Sequence, residues 1–167
     1  MDIQTFLKQC VGKWFAQRTT YQLIANQSES NKSELVIERL APDAAPVLTL
    51  CAEGNFTPDQ VWAGLAIHWD NHVDWGQPPQ KGSTVLALAA PTPHAPQGQL
   101  LRAGLGVGTY TLAADESLVL TVAQGGNTYE ERIWFASENL RFRTLTVAQG
   151  ETVAQTAFYS EIRRMQD

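Results

Sequence analysis

From Trp14 to Arg163 the chain repeats one pattern: a short run rich in aromatic and β-branched residues, then glycine, proline or asparagine, about every 8 to 12 residues. Such side chains suit a pleated, half-buried surface, and the punctuation ends each run at strand length. Candidate strands are Trp14–Leu23, Ser33–Arg39, Val47–Glu53, Gly64–Asp70, Thr84–Ala89, Gly98–Gly104, Gly108–Ala113, Ser117–Gln124, Thr128–Ala136, Leu140–Gln149 and Thr152–Arg163, with Asn26–Ser33 a polar turn. Ahead of them Ile3, Phe6, Leu7 and Cys10 fall at helical spacing behind Asp2, an N-cap, and Gly12 stops the helix. A second helical turn fits Asn55–Asp59. A meander of about ten short strands makes a sandwich or an up-and-down barrel, and the leading helix favours the barrel. Small closed barrels often enclose one ligand.

Length confines this pattern to a single domain over residues 1–167 with one hydrophobic core. No stretch approaches the roughly 18 apolar residues of a membrane helix. The start, Met1-Asp-Ile-Gln, has an early acid and no apolar run, unlike a secretory signal. Net charge is −5 and the basic residues are scattered, which argues against nucleic acid and against membrane insertion. Arginine outnumbers lysine eight to four, and its planar fork suits carboxylates in partly dry places. Cys10 and Cys51 lack the CxxC spacing of a metal or redox site and read as buried, reduced packing residues, Cys10 on the helix and Cys51 in a strand.

Charge sits in an unusual place in the segment from Tyr129 to Arg143. There Tyr-Glu-Glu-Arg-Ile-Trp-Phe135 and Asn139-Leu-Arg-Phe-Arg143 form a hairpin whose strands alternate charged and bulky apolar residues. A loop of three or five residues, such as Ala136–Leu140, sets Phe135 against Arg141 and Ile133 against Arg143, with Glu131 on the same face. A two-residue loop at Glu138-Asn139 sets Arg132 and Trp134 beside the arginines instead, because a one-residue slip exchanges faces. Either the charges face solvent, in cross-strand pairs worth about 0.2–1 kcal/mol each, or they face inward and a ligand helps to pair them.

Other constellations are weaker. His68 and His72 with Asp70 and Asp74 suggest metal ligation only on a helix, and their surroundings are a strand and a turn, so no metal site is expected. Gly104-Leu-Gly-Val-Gly108 lacks the helix that a phosphate loop needs and reads as a strand corner, and Gly125-Gly-Asn127 as a hairpin turn. There is no GxSxG and no Ser/His/Asp set. Trp69 and Trp75, among five tryptophans, offer flat stacking walls.

Read together, Gly12-Lys-Trp14-Phe-Ala-Gln-Arg18-Thr, Leu50-Cys51, Gly64 through Trp69 to Trp75, Leu100-Leu-Arg102, Glu131-Arg-Ile-Trp-Phe135 with Asn139-Leu-Arg-Phe-Arg143, and Ser160-Glu-Ile-Arg163 resemble the S/U-type phycobiliprotein lyases. The resemblance runs over nearly the whole chain in the expected order. It implies an all-β, lipocalin-like up-and-down antiparallel barrel with a short N-terminal helix, in the cytoplasm of a cyanobacterial cell or a plastid stroma. It further implies an enzyme that binds a phycobilin such as phycocyanobilin as substrate, with no separate cofactor. The bilin is attached through a thioether to a cysteine of an apo-phycobiliprotein subunit.

By the same resemblance Arg18, Arg141 and Arg143 contact the bilin or its propionates, and Trp69 and Trp75 form the aromatic wall. Glu131 is the catalytic acid near the pyrrole nitrogens. Family members commonly carry serine in place of Ala16 and a His-His pair in place of Tyr21-Gln22, and the stretch around Pro91–Gln97 also departs. These differences point to the U-type member, associated in this family with an S-type partner, so the working form is a homodimer or a heterodimer. The competing readings are a noncatalytic bilin carrier or chaperone and a generic lipocalin-like binder of an apolar acid.

Overall fold

The computed structural model describes residues 1–72 and 80–165. Within them a helix, α1 (Ile3–Cys10), leads into β1 (Gly12–Gln22) and β2 (Gln27–Leu40). A second helix, α2 (Ala45–Gly54), and a 3-10 turn at Pro58–Gln60 follow. The remaining strands are β3 (Val61–His72), β4 (Gln80–Ala89), β5 (Gln97–Arg102), β6 (Gly106–Leu112), β7 (Leu118–Gln124), β8 (Asn127–Ser137), β9 (Leu140–Gln149) and β10 (Thr152–Arg163). Each pairs antiparallel with the next, and β10 returns to β1, so the sheet closes as the expected up-and-down barrel. Closure leaves no sheet edge exposed. Among the described residues no helix is long and apolar enough to cross a membrane.

Asp2 caps α1 as its spacing predicts, its Oδ1 accepting from the Thr5 amide at 2.7 Å. Ile3, Phe6, Leu7 and Cys10 are buried in one core with Trp14, Leu118 and Ile133. The helix therefore plugs the end of the barrel at which β1 starts. Phe6 meets Phe135 edge-on at 5.1 Å, and Trp14 Nε1 donates to the Cys10 carbonyl at 2.9 Å. The opposite end, framed by the β1–β2, β5–β6, β7–β8 and β9–β10 turns, has no plug of this kind among the described residues.

Two expectations fail. Val47–Glu53 is not a strand but the body of α2, so Cys51 is helical. Val47, Leu50 and Cys51 recur at helical spacing and bury against Val61, Ala87, Ala89 and Leu101 on the outside of the barrel, and Pro46 starts the helix. The β-branched Val47 and Thr49 mislead a propensity argument, which tertiary packing overrides here. Nor is Asn26–Ser33 a turn. The turn is Leu23–Asn26, with Asn26 at φ 52°, and the polar residues after it are strand β2 near the mouth. Polar composition there reflects what the strand faces, not an absence of pairing.

The β8–β9 hairpin resolves the question of register. Phe135 opposes Arg141 and Ile133 opposes Arg143, with a register shift between Phe135 and Ser137 and with Ser137 paired to Leu140. The turn is thus the tight one at Glu138-Asn139, and a bulge at Ala136 restores the face that a two-residue turn alone would exchange. Glu131, Ile133, Arg141 and Arg143 all point into the barrel.

Candidate functional site

Period-two alternation carries polar groups into the barrel on strand after strand. Inward positions near the mouth are Arg18 on β1, Asn31 and Ser33 on β2, Trp69 and Asn71 on β3, Arg102 on β5, Arg143 on β9 and Tyr159 on β10. They line a cavity of about 350 Å³. A second lobe of about 250 Å³ shares Arg102, Leu105, Arg143 and Tyr159 and adds Tyr129 and Glu131. Trp69 lies flat over Gly82, its cross-strand partner: a Cβ at Gly82 would stand 2.3 Å from Trp69 Cζ2. The glycine makes room for the indole against the wall.

From the cavity wall inward three arginines and two glutamates form one chain of ion pairs. Arg102 Nη1 donates to Glu131 Oε2 at 2.7 Å, and Arg143 Nη1 to Glu131 Oε1 at 2.8 Å. Arg143 Nε donates to Glu161 Oε1 at 2.8 Å, and Arg141 grips the same carboxylate through Nε at 3.3 Å and Nη2 at 3.1 Å. Glu161 is 0 %, Arg141 3 % and Glu131 6 % exposed. Burial on its own would push the Glu131 carboxyl up, but the Arg102 and Arg143 guanidiniums outweigh it and bring it down to about 2. Burial opposes the charge of Glu161 too, and Arg143 and Arg141 again prevail, lowering its pKa. Arg143, desolvated but held between Glu161 and Glu131, is shifted upward. The guanidinium of Arg143 lies 3.9 Å over the Tyr159 ring, and that of Arg141 5.1 Å from the Trp14 centroid.

Both carboxylates are spoken for, and the set carries one more positive charge than negative. Arg18 adds another. It reaches Glu29 at 3.6 Å, and Asn31, with its amide turned carbonyl toward Arg18, accepts from Nη2 at 2.5 Å. Its buried Nε has no partner among the described residues. The mouth is thus a half-dry, cationic cavity with one indole wall among the described residues, suited to an elongated conjugated anion.

Of the residues singled out from sequence, Arg18, Trp69 and Arg143 line this cavity and Glu131 its second lobe. Arg141 does not reach either; it lies a layer below, locked to Glu161. Trp75 lies outside the described residues. Sequence reasoning missed Arg102 and Glu161 as members of the set. Arg102 follows inward Leu100 by two positions and Glu161 precedes the inward-curling Arg163, but neither segment announces partners 29 and 18 residues away. The remaining three tryptophans are structural: Trp14 is core, Trp62 donates from Nε1 to the Tyr110 hydroxyl at 3.0 Å, and Trp134 packs 5.8 Å from Phe142.

Comparison with known proteins agrees with this architecture. A family model described as CpeS-like protein matches residues 2–164. The chain is 34% identical over 171 residues to chromophore lyase CpcS/CpeS 1 of Synechocystis sp., covering 99% of this chain and 92% of the relative. It is 36% identical over 170 residues to chromophore lyase CpcS/CpeS of Thermosynechococcus vestitus, covering 98% and 93%. The solved structure of the S-type phycobiliprotein lyase CPES from Guillardia theta superposes with a TM-score of 0.87 at 30% identity, over 100% of this chain and 95% of that one.

Proposed function

The chain belongs to the CpeS-like protein family, and from that membership and the geometry of the barrel mouth we propose that it is a phycobiliprotein lyase. It takes up a linear tetrapyrrole such as phycocyanobilin and attaches it through a thioether to a cysteine of an apo-phycobiliprotein subunit, alone or with an S-type partner. The observation that carries this reading is the single cavity that Arg18, Arg102 and Arg143 line together with Trp69. A bilin brings two propionates for guanidinium forks, a conjugated face for the indole and pyrrole nitrogens that carry positive charge when protonated.

In this reading Arg18, whose Nε has no partner among the described residues, and Arg102 and Arg143 take the propionates, and Trp69 stacks on the rings. Glu131, ionised at neutral pH, stabilises the protonated tetrapyrrole, which makes its ethylidene group more electrophilic. Arg141 acts from below, fixing Glu161 and through it the Arg143 fork. The client thiolate then adds to the exocyclic carbon of the ethylidene group while the ring carbon of that double bond takes the proton; nothing leaves and nothing is oxidised. The nucleophile belongs to the client: Cys10 and Cys51 are both buried, and burial pushes both thiols up.

Titration of the protein with phycocyanobilin tests the binding step. A red-shifted, sharpened absorption band is expected; an unchanged spectrum contradicts any bilin role.

A further inference from the structure

The two lobes of the cavity differ in chemistry. The first carries Arg18, Asn31, Ser33, Asn71 and Thr84 around Trp69. The second is walled by Leu120 and Val122 on β7 and Leu145 on β9, with Tyr129 on β8 bringing one hydroxyl. Arg102, Leu105, Arg143 and Tyr159 line both, so two guanidiniums stand where the lobes join. Room for the second lobe is left by β6, whose inward positions here, paired with inward Leu100 and Arg102, are Gly108 and Gly106. A Cβ at Gly106 would meet nothing within 4 Å, and one at Gly108 would stand 2.8 Å from Val122 Cγ2. The glycines of the Gly104–Gly108 segment thus thin the barrel wall where the aliphatic lobe lies.

We propose that the second lobe is a specificity pocket, taking the terminal pyrrole ring farthest from the ethylidene group, with Val122, Leu145 and Tyr129 reading the substituents of that ring. This rests on the bilin reading. Propionates project from the two middle rings of a linear tetrapyrrole, so carboxylates held at Arg18, Arg102 and Arg143 leave a terminal ring on either side of the junction. The ring that accepts the client thiolate must stay accessible, and the second lobe is the more enclosed of the two. The opposite ring therefore enters it. That ring brings a methyl group and a two-carbon side chain, which bury against valine and leucine, and a lactam carbonyl, for which the Tyr129 hydroxyl is a donor. Aliphatic walls discriminate by shape, and the shape here is set by very few side chains.

Absorption titration of the full chain with two pigments tests it. They are phycocyanobilin and phytochromobilin, which differs only in carrying a vinyl in place of the ethyl group on that ring. Val122→Phe and, separately, Leu145→Phe, each checked for folding by circular dichroism, should weaken phycocyanobilin about tenfold or more and change the ratio of the two affinities about threefold or more. Leu145→Ala, a milder change that widens the lobe, should shift the ratio too. Trp69→Ala, in the first lobe, should weaken both pigments by one factor and keep the wild-type ratio. Folded Val122 and Leu145 variants that bind both pigments like the wild type overturn the proposal, as does a parallel loss with the ratio unchanged. A ratio altered by Trp69→Ala alone would put the distinguishing ring in the first lobe and overturn it as well. Wild-type protein that binds neither pigment is a separate failure, that of the bilin reading itself, and the pocket falls with it.

Discussion

Arg102 and Glu131 meet at 2.7 Å inside the barrel although their strands, β5 and β8, are not hydrogen-bonded neighbours. Arg102 lines both lobes of the cavity and Glu131 the second. Because Arg102 both satisfies a buried carboxylate and lines the mouth, Arg102→Ala is expected to lower stability by about 2–3 kcal/mol and weaken bilin binding about tenfold or more. Chemical denaturation and bilin titration measure the two effects. Loss of stability with unaltered affinity would remove Arg102 from the ligand set.

Arg141 lies below the cavity, yet it supplies two of the hydrogen bonds on Glu161. Arg141→Ala should therefore loosen Arg143 and reduce bilin retention on gel filtration more than Lys81→Ala, which alters only an exposed residue of β4. Equal retention by the two variants would contradict the assignment.

Acid should act through the glutamates. The Glu131 carboxyl falls from 4.5 in the unfolded chain to about 2 in the folded one. A depressed carboxyl contributes stability that is fully present above about pH 4.5 and is lost as pH falls toward 2, a span worth on the order of 3 kcal/mol. Unfolding free energies measured from pH 6 to pH 2 should decline over that window, and Glu131→Gln should flatten the decline while lowering stability at neutral pH. A Glu131→Gln protein with an unaltered acid profile would show that another group sets it.

Gly82 sits beneath the Trp69 ring, within 2.3 Å of Cζ2 for any added Cβ. Its φ is not in the left-handed region, so a side chain there is resisted by the indole and not by the backbone. Gly82→Val should keep the barrel fold but displace Trp69, changing tryptophan emission and weakening the bilin several-fold. Wild-type emission and affinity would separate Trp69 from the binding site.

Much of this arrangement is legible along single strands. Alternation places Glu131 and Ile133 on one face and Arg141 and Arg143 on another, and the β8–β9 register joins the faces in the way a three- or five-residue loop requires. The bulge at Ala136 is not legible, because a two-residue turn with a bulge and a longer loop share the same pairing beyond it. α2 was hidden for a different reason: its apolar residues pack on the outside of the barrel, where Val47 and Leu50 meet a wall and not the interior. The ion-pair chain is the least legible part. Each carboxylate is closed by arginines from other strands, and only the closed sheet brings Arg102, Arg143 and Arg141 to Glu131 and Glu161.

On this account the barrel delivers its bilin to a cysteine on another protein. The direct measurement mixes the protein, free phycocyanobilin and an apo-phycobiliprotein subunit, with and without an S-type partner, and looks for zinc-induced fluorescence on a denaturing gel. A fluorescent band at the client's mass, lost with Glu131→Gln and kept with Lys81→Ala, is the predicted result. Bilin held by the barrel but never joined covalently to the client in any combination would contradict it and leave a carrier in place of a lyase.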